Sequence, residues 1–183
     1  MDFSAFSHGQ IQSKLWLCEK IEPFLPENTE MAILGSWYNI LGFMLLTRNE
    51  NKFKLLEGID IDRHSIQIAD HIMQAWLIGY NHKGKNLNGD VNLTNLDKYN
   101  VIVNCSLEHM RSDSWFHNIK NQLICIQSSD VINNDPIWDI NNPINNIDHL
   151  KTKYPMSQIL FEGHKIFDYG NICYKRFMLI GYK

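Results

Sequence analysis

The sequence predicts an α/β fold: a mostly parallel central sheet with helices on both faces and an antiparallel β-hairpin at the C-terminal end. Three observations predict it. Apolar runs that read as strands alternate with segments of helical periodicity from residue 31 onward. Two of those runs, Val101-Ile102-Val103-Asn104-Cys105 and Leu123-Ile124-Cys125-Ile126, are nearly continuous, as expected of parallel strands covered on both faces. The last two strand-like segments, Gln158–Phe167 and Cys173–Tyr182, are joined too tightly for a crossover helix and must pair antiparallel. The expected organisation is a single domain over 1–183, with an N-terminal helix and connection at 1–28 and the α/β core at 31–183.

The first helix is expected from about His8 to Phe24, with Ile11, Leu15, Cys18 and Leu25 as its apolar stripe and Pro23 and Pro26 closing it. Gln10, Ser13 and Lys14 share a different face, for which solvent is the default. Met31–Leu34 reads as a strand ending at Gly35. It is followed by a helix over Trp37–Thr47 and a second strand over Phe53–Ile59 that ends in Asp60-Ile61-Asp62. A second core helix is expected over His64–Leu77. The polar stretch Gly79–Asn100 has room for a short third strand before Asp90. After the strand at Val101 comes a helix around Ser114–Lys120, then the strand at Leu123. Asp130–Asp148 is rich in Asn, Asp and Pro and reads as a long surface loop, a lid candidate because loops of that length usually lie over a site. The terminal hairpin turns at Asp168-Tyr169-Gly170-Asn171.

Composition narrows the function classes. Apolar residues at 44% and charged residues at 20% are too apolar a mix for a disordered chain, and no apolar run is long enough to span a bilayer, so no membrane partner is expected. A net charge of −3 gives nucleic acid no support, without excluding it. The four cysteines form no C-x-x-C pair, and Met1-Asp2-Phe3-Ser4 has neither the basic nor the apolar block of a signal peptide. Reduced thiols in a cytoplasm are the expectation.

Four short motifs, in order, carry a resemblance. Ile33-Leu34-Gly35-Ser36-Trp37-Tyr38-Asn39 is a strand-to-helix turn containing one glycine. Gly58-Ile59-Asp60-Ile61-Asp62 ends the second strand on an acidic residue. Asn88-Gly89-Asp90-Val91 and Val103-Asn104-Cys105-Ser106-Leu107-Glu108-His109-Met110 follow. Together with the terminal hairpin, this order resembles the class I S-adenosylmethionine-dependent methyltransferase superfamily over residues 31–183, as a divergent member. The resemblance implies a Rossmann-like methyltransferase domain with S-adenosylmethionine as cofactor. It also implies in-line methyl transfer to a small molecule or an exposed peptide group.

On this resemblance the cofactor-binding candidates are Gly35, Ser36, Trp37, Tyr38, Asp60, Asp62, Asp90 and Lys14. Gly35 begins a turn whose helix presents free N–H groups, suited to a carboxylate. Where the family commonly has three glycines this turn has one, which leaves Ser36 and Trp37 less freedom for positive φ. Asp60 stands at the carboxyl edge of the sheet, where open α/β proteins bind ligands and where a carboxylate can accept ribose hydroxyls. Asp62 is placed to cap the following helix. Asp90 corresponds to an acidic residue near the adenine amino group, with a plain turn as its other reading. Lys14 lies on a helix that folds over the cofactor in this superfamily and would neutralise the cofactor carboxylate. The catalytic candidates are His109, Glu108 and Asn104, at the end of a buried strand and on the same edge as Gly35 and Asp60. His109 suits proton abstraction at neutral pH. The other reading is that Glu108 and His109 simply begin the helix leading to Trp115. Adjacent Glu and His do not make a metal site, and none is expected. Trp37, Tyr38, Trp115 and Trp138 are expected mainly as packing residues, and His71, His82, His117, His149 and His164 show no metal spacing. Two rival functions remain: a non-catalytic S-adenosylmethionine-binding or regulatory subunit, and a nicotinamide-dependent oxidoreductase, which would call for a G-x-G-x-x-G turn.

Overall fold

The structure, a computed structural model, describes residues 2–74, 76, 83–131, 140–170 and 173–183. Leu77, Gly79, His82, Trp138, Asn171 and positions 132–139 of the expected lid lie outside the described residues.

Seven strands form one sheet: β1 (Thr29–Leu34), β2 (Phe53–Asp60), β3 (Gly84–Asn88), β4 (Val101–Asn104), β5 (Leu123–Ser129), β6 (Gln158–Asp168) and β7 (Cys173–Tyr182). Their spatial order is β3-β2-β1-β4-β5-β7-β6. The first five are parallel, and β7 inserts antiparallel between β5 and β6. This is the α/β, Rossmann-like arrangement that the sequence predicts, including its antiparallel C-terminal hairpin. Every residue of β4 and β5 is buried, as their continuous apolar runs require.

The helices α1 (His8–Ile21), α2 (Ile40–Asn49) and α3 (Arg63–Ile72) cover one face, and α4 (Ser114–His117) and α5 (Ile147–Lys153) the other. Alternating strand residues divide accordingly. Ile33, Val103 and Cys125 pack with Leu17, Leu41 and Leu45 on the first face, whereas Leu34, Ile102 and Ile124 pack with Trp115, Leu150 and Tyr154 on the second. Among the described residues no helix is long and apolar enough to cross a membrane.

Five elements differ from expectation, the first being α3, which ends at Ile72 with Met73 already non-helical where the sequence predicts a helix over His64–Leu77. The stripe of α1 that is buried runs Ser13, Lys14, Leu17, Cys18 and Ile21, while Ile11 and Leu15 are only half-buried. The cause is a polar residue in the sheet: Gln127 on β5 is fully buried, and Ser13 Oγ donates to its Oε1 at 2.7 Å. The second helix begins at Ile40 rather than Trp37, because residues 35–39 form a turn with left-handed backbone. α4 stops at His117, short of Lys120. The end of the expected loop is helical: Asn146 caps α5 by accepting from the His149 N–H.

Candidate active site at the carboxyl edge of the sheet

The register brings the ends of the parallel strands to one edge. Leu34 pairs with Ile59 on one side and Asn104 on the other, Asn104 pairs with Ile126, and Asp60 pairs with Asn88. Gly35, Asp60, Asn104 and the end of β5 therefore meet.

The turn after β1 has left-handed backbone at every second residue: φ is 61° at Gly35, 50° at Trp37 and 50° at Asn39. Gly35 adopts this region freely, whereas non-glycine residues do so at a cost on the order of 1–2 kcal/mol, least for Asn. One glycine is thus enough, and the reduced freedom expected at Trp37 is overcome by the surrounding bonds. The Trp37 N–H donates to Asp60 Oδ2 at 2.7 Å, the Ser36 N–H to the Ile59 carbonyl at 3.1 Å, and the Asn39 N–H to the Ser36 carbonyl at 2.8 Å. Asn39 is wholly buried, donates Nδ2 to Asn86 Oδ1 at 2.8 Å, and fills the space that side chains at Gly42 and Gly58 would take. From the β4 side, Ser106 Oγ donates to the Gly35 carbonyl at 2.9 Å, and Met110 Cε lies 2.8 Å from where a Gly35 Cβ would stand. Neither Asn39 nor Met110 was a candidate in the sequence; the alternation of Gly35, Trp37 and Asn39 is the signal that could have found the former.

The candidates for the cofactor side therefore sort by geometry. Gly35, Ser36, Trp37 and Asp60 lie together. Asp60 is half-buried and also accepts the Asp62 N–H on Oδ1 at 2.9 Å, so each of its oxygens keeps a lone pair for another donor. Ser36 Oγ is buried and lacks a partner. Tyr38 turns away: its ring stacks on Trp37 with centroids 4.8 Å apart, and its hydroxyl accepts the Asp2 N–H at 2.8 Å. Asp62 caps α3 by accepting from the His64 and Ser65 N–H groups and the Ser65 hydroxyl, and this bonding, led by the Ser65 hydroxyl, holds its carboxyl below the usual range. Asp90 holds a turn by accepting from the Asn92 N–H at 2.9 Å and Asn92 Nδ2 at 3.1 Å.

Lys14 lies elsewhere on the edge, toward the ends of β4, β5 and β7, and only 9% of it is exposed. Its amine donates to Gln10 Oε1 at 2.6 Å, and burial lowers its pKa from 10.5 to about 8, with Arg176 repelling and Glu108 attracting the charge. Glu108 is 3% exposed and Arg176 7%. Glu108 Oε1 accepts from Arg176 Nη2 at 3.4 Å and from Ser129 Oγ at 3.4 Å, while Glu108 Oε2 and Arg176 Nε are buried without partners. The Glu108 carbonyl accepts the Asn141 and Asn142 N–H groups at 2.8 and 3.1 Å, which ties the second half of the Asp130–Asp148 segment to this turn. Burial also pushes the Cys105 thiol up.

Glu108 and His109 belong to a 3-10 turn, Leu107–His109, not to the helix leading to Trp115. Their side chains diverge: Glu108 enters the protein and His109 is exposed. Asn104 Oδ1 accepts the Ser106 N–H at 3.0 Å, and its Nδ2 is buried without a partner. Arg176 and Ser129 were not candidates. The signal for Arg176 is its phase, since it alternates with Met178 and Ile180 on the face of β7 that packs under α1. Among the described residues, no group of three or more His, Cys, Asp or Glu side chains is placed to hold a metal ion.

A parallel sheet ordered 3-2-1-4-5 and completed by the antiparallel pair 7-6 defines the class I S-adenosylmethionine-dependent methyltransferase fold. Solved structures agree. The chain superimposes on magnesium protoporphyrin IX methyltransferase from Synechocystis, solved with bound S-adenosylhomocysteine, with a TM-score of 0.65 at 11% identity, covering 93% of this chain and 82% of that one. The N-methyltransferase NodS from Bradyrhizobium japonicum gives 0.66 at 11% identity, covering 100% of both chains. A candidate sarcosine dimethylglycine methyltransferase from Galdieria sulphuraria gives 0.54 at 11% identity over 66% of this chain, which spans 46% of that longer one. No protein-family model and no curated protein sequence matches the chain. The likeness therefore lies in the fold, not in the sequence.

Proposed function

We propose that the protein is an S-adenosylmethionine-dependent methyltransferase that acts on a small molecule or an exposed peptide group. The observation that carries this reading is the junction of Gly35 and Asp60: a left-handed turn at the carboxyl edge, closed by a carboxylate that keeps acceptor capacity, within a methyltransferase fold. The residues fit the cofactor. Asp60 would accept from the ribose hydroxyls, the unpartnered Ser36 hydroxyl would bond the ligand beside the Gly35 turn, and the half-exposed Trp37 ring would pack against it. Asp90 is assigned to the adenine end, and Lys14 to the charged cluster with Glu108 and Arg176 rather than to the cofactor carboxylate.

When bound, S-adenosylmethionine supplies a methyl group on a sulfonium centre whose sulfur leaves as a neutral thioether. The chain's part is mainly positioning, since a good leaving group leaves alignment as the larger share of the barrier. Glu108 Oε2, a bare carboxylate oxygen at the acceptor side, would orient the acceptor by taking its hydrogen bond. Asn104 Nδ2, at the end of β4, offers an unpartnered donor, and His109 on the outer shoulder of the Leu107–His109 turn would receive a proton from a hydroxyl acceptor.

Calorimetry of the protein with S-adenosylmethionine, S-adenosylhomocysteine and NAD in parallel tests the reading. The first two should bind, and Asp60→Ala should weaken them about tenfold or more by removing a charge-assisted acceptor. Binding of NAD in their place would refute it. A non-catalytic S-adenosylmethionine-binding subunit is favoured by one observation, the ion pair that already engages Glu108; that reading predicts cofactor binding with no methyl transfer to any acceptor.

A further inference from the structure

The buried side chains beneath α1 do not balance. Lys14 and Arg176 each bring a positive charge and Glu108 one negative charge, and among the described residues no second carboxylate is shown paired with them. A buried excess charge is unfavourable unless something compensates it. The unpartnered atoms say what that something is. Arg176 Nε is a donor without an acceptor, and Glu108 Oε2 an acceptor without a donor, on two side chains bonded to each other. Buried polar atoms are almost always satisfied, so two complementary orphans on neighbouring groups mark a place for a ligand with both characters.

Resting on the methyltransferase reading above, we propose that the buried cluster of Lys14, Glu108, Ser129 and Arg176 opens to bind an acceptor of the amino-acid class. Its carboxylate lies against Arg176 Nε and the Lys14 amine, and its amino group donates to Glu108 Oε2. The ligand's negative group offsets the excess positive charge, and its nitrogen reaches the edge of the sheet where the strands end.

The cofactor's own methionine end carries the same two groups, and the experiment separates the two sources. Thermal unfolding of the full chain is followed with each proteinogenic amino acid at millimolar concentration, with and without saturating S-adenosylhomocysteine. A ligand that binds only the native state raises the midpoint. At least one amino acid should raise it in the presence of S-adenosylhomocysteine, and its carboxamide should not. Arg176→Gln and the milder Arg176→Lys should weaken that amino acid about tenfold or more while leaving S-adenosylhomocysteine affinity within about twofold. No response to any amino acid, or an unchanged response in both variants, overturns the proposal. Loss of S-adenosylhomocysteine binding in both variants also overturns it, by giving the cluster to the cofactor. Failure of S-adenosylhomocysteine to bind the unaltered protein defeats the methyltransferase reading instead.

Discussion

Neutralising Glu108 should destabilise the protein more than neutralising Arg176, although the two form one ion pair. Removing one partner of a buried pair leaves an uncompensated charge, typically at about 3–5 kcal/mol. Glu108→Gln leaves two buried cations, Arg176 and Lys14, with no anion among the groups described around them, while the amide still accepts from Ser129. Its loss should fall at about 3 kcal/mol or more, a fall in midpoint of about 6–12 °C for a chain of this size. Arg176→Gln leaves Glu108 facing Lys14, so one charge still answers the other and the loss should be about half as large. Urea unfolding gives both values from the shift in midpoint, with an unchanged slope as the condition that the denatured state is the same. The double variant should lose less than the sum of the singles. A larger loss for Arg176→Gln than for Glu108→Gln would refute the excess of positive charge and, with it, the case for an anionic ligand.

Other perturbations test the surroundings. The Lys14 amine is protonated less readily in the folded chain than in the unfolded one, so between about pH 8 and 10.5 the unfolded state holds the extra proton and stability from this group rises with pH. Lys14→Met should therefore be more stable than the unaltered protein at pH 7, by up to about 3 kcal/mol, with an advantage that shrinks as pH passes from about 8 to 10; a constant difference across that window would contradict it. Gly35→Ala should cost about 1–3 kcal/mol, from left-handed strain and from Met110 Cε and Ser106 Cβ at 2.8 and 3.1 Å from the new Cβ; in a Met110→Ala background the cost should fall to the strain and the Ser106 contact. Of the four thiols, exposed Cys173 should be alkylated first in the native protein at pH 8, because burial pushes Cys18 up to about 12 and raises Cys105 and Cys125 as well; peptide mapping that finds Cys18 or Cys125 modified as fast would show an open core.

The sheet was legible because its signal is local. Val101–Asn104 and Leu123–Ile126 announce buried parallel strands by apolar continuity, and the spacing of Gln158–Phe167 and Cys173–Tyr182 leaves only an antiparallel pair. The meeting of Gly35 and Asp60 was legible for the same reason, since they end their strands and the register does the rest. The cluster of Lys14, Glu108 and Arg176 was not, because its members depend on pairings between distant segments. Ser13 and Lys14 look like the polar face of an amphipathic helix until Gln127, over a hundred residues away, turns out to be buried opposite them. Arg176 is one charge in an alternating strand, and only the placement of β7 between β5 and β6 puts its phase under α1.

The two halves of the sheet edge hold their polar groups in different ways, and the difference bears on what each can bind. At the Gly35 turn, strained positions at Trp37 and Asn39 are held by bonds to Asp60, Ile59, Ser36 and Asn86, so the turn is set before any ligand arrives. Preorganisation of that kind lowers the ordering cost of binding. Beneath α1 the groups are buried but unmatched: an ion pair at 3.4 Å, two orphan atoms, and an amine whose pKa burial has lowered to about 8. A cluster left in that condition stabilises little by itself and gains most from a partner that supplies the missing charge. The first half is built as a fixed frame, and the second as a cluster whose charges are left unmatched.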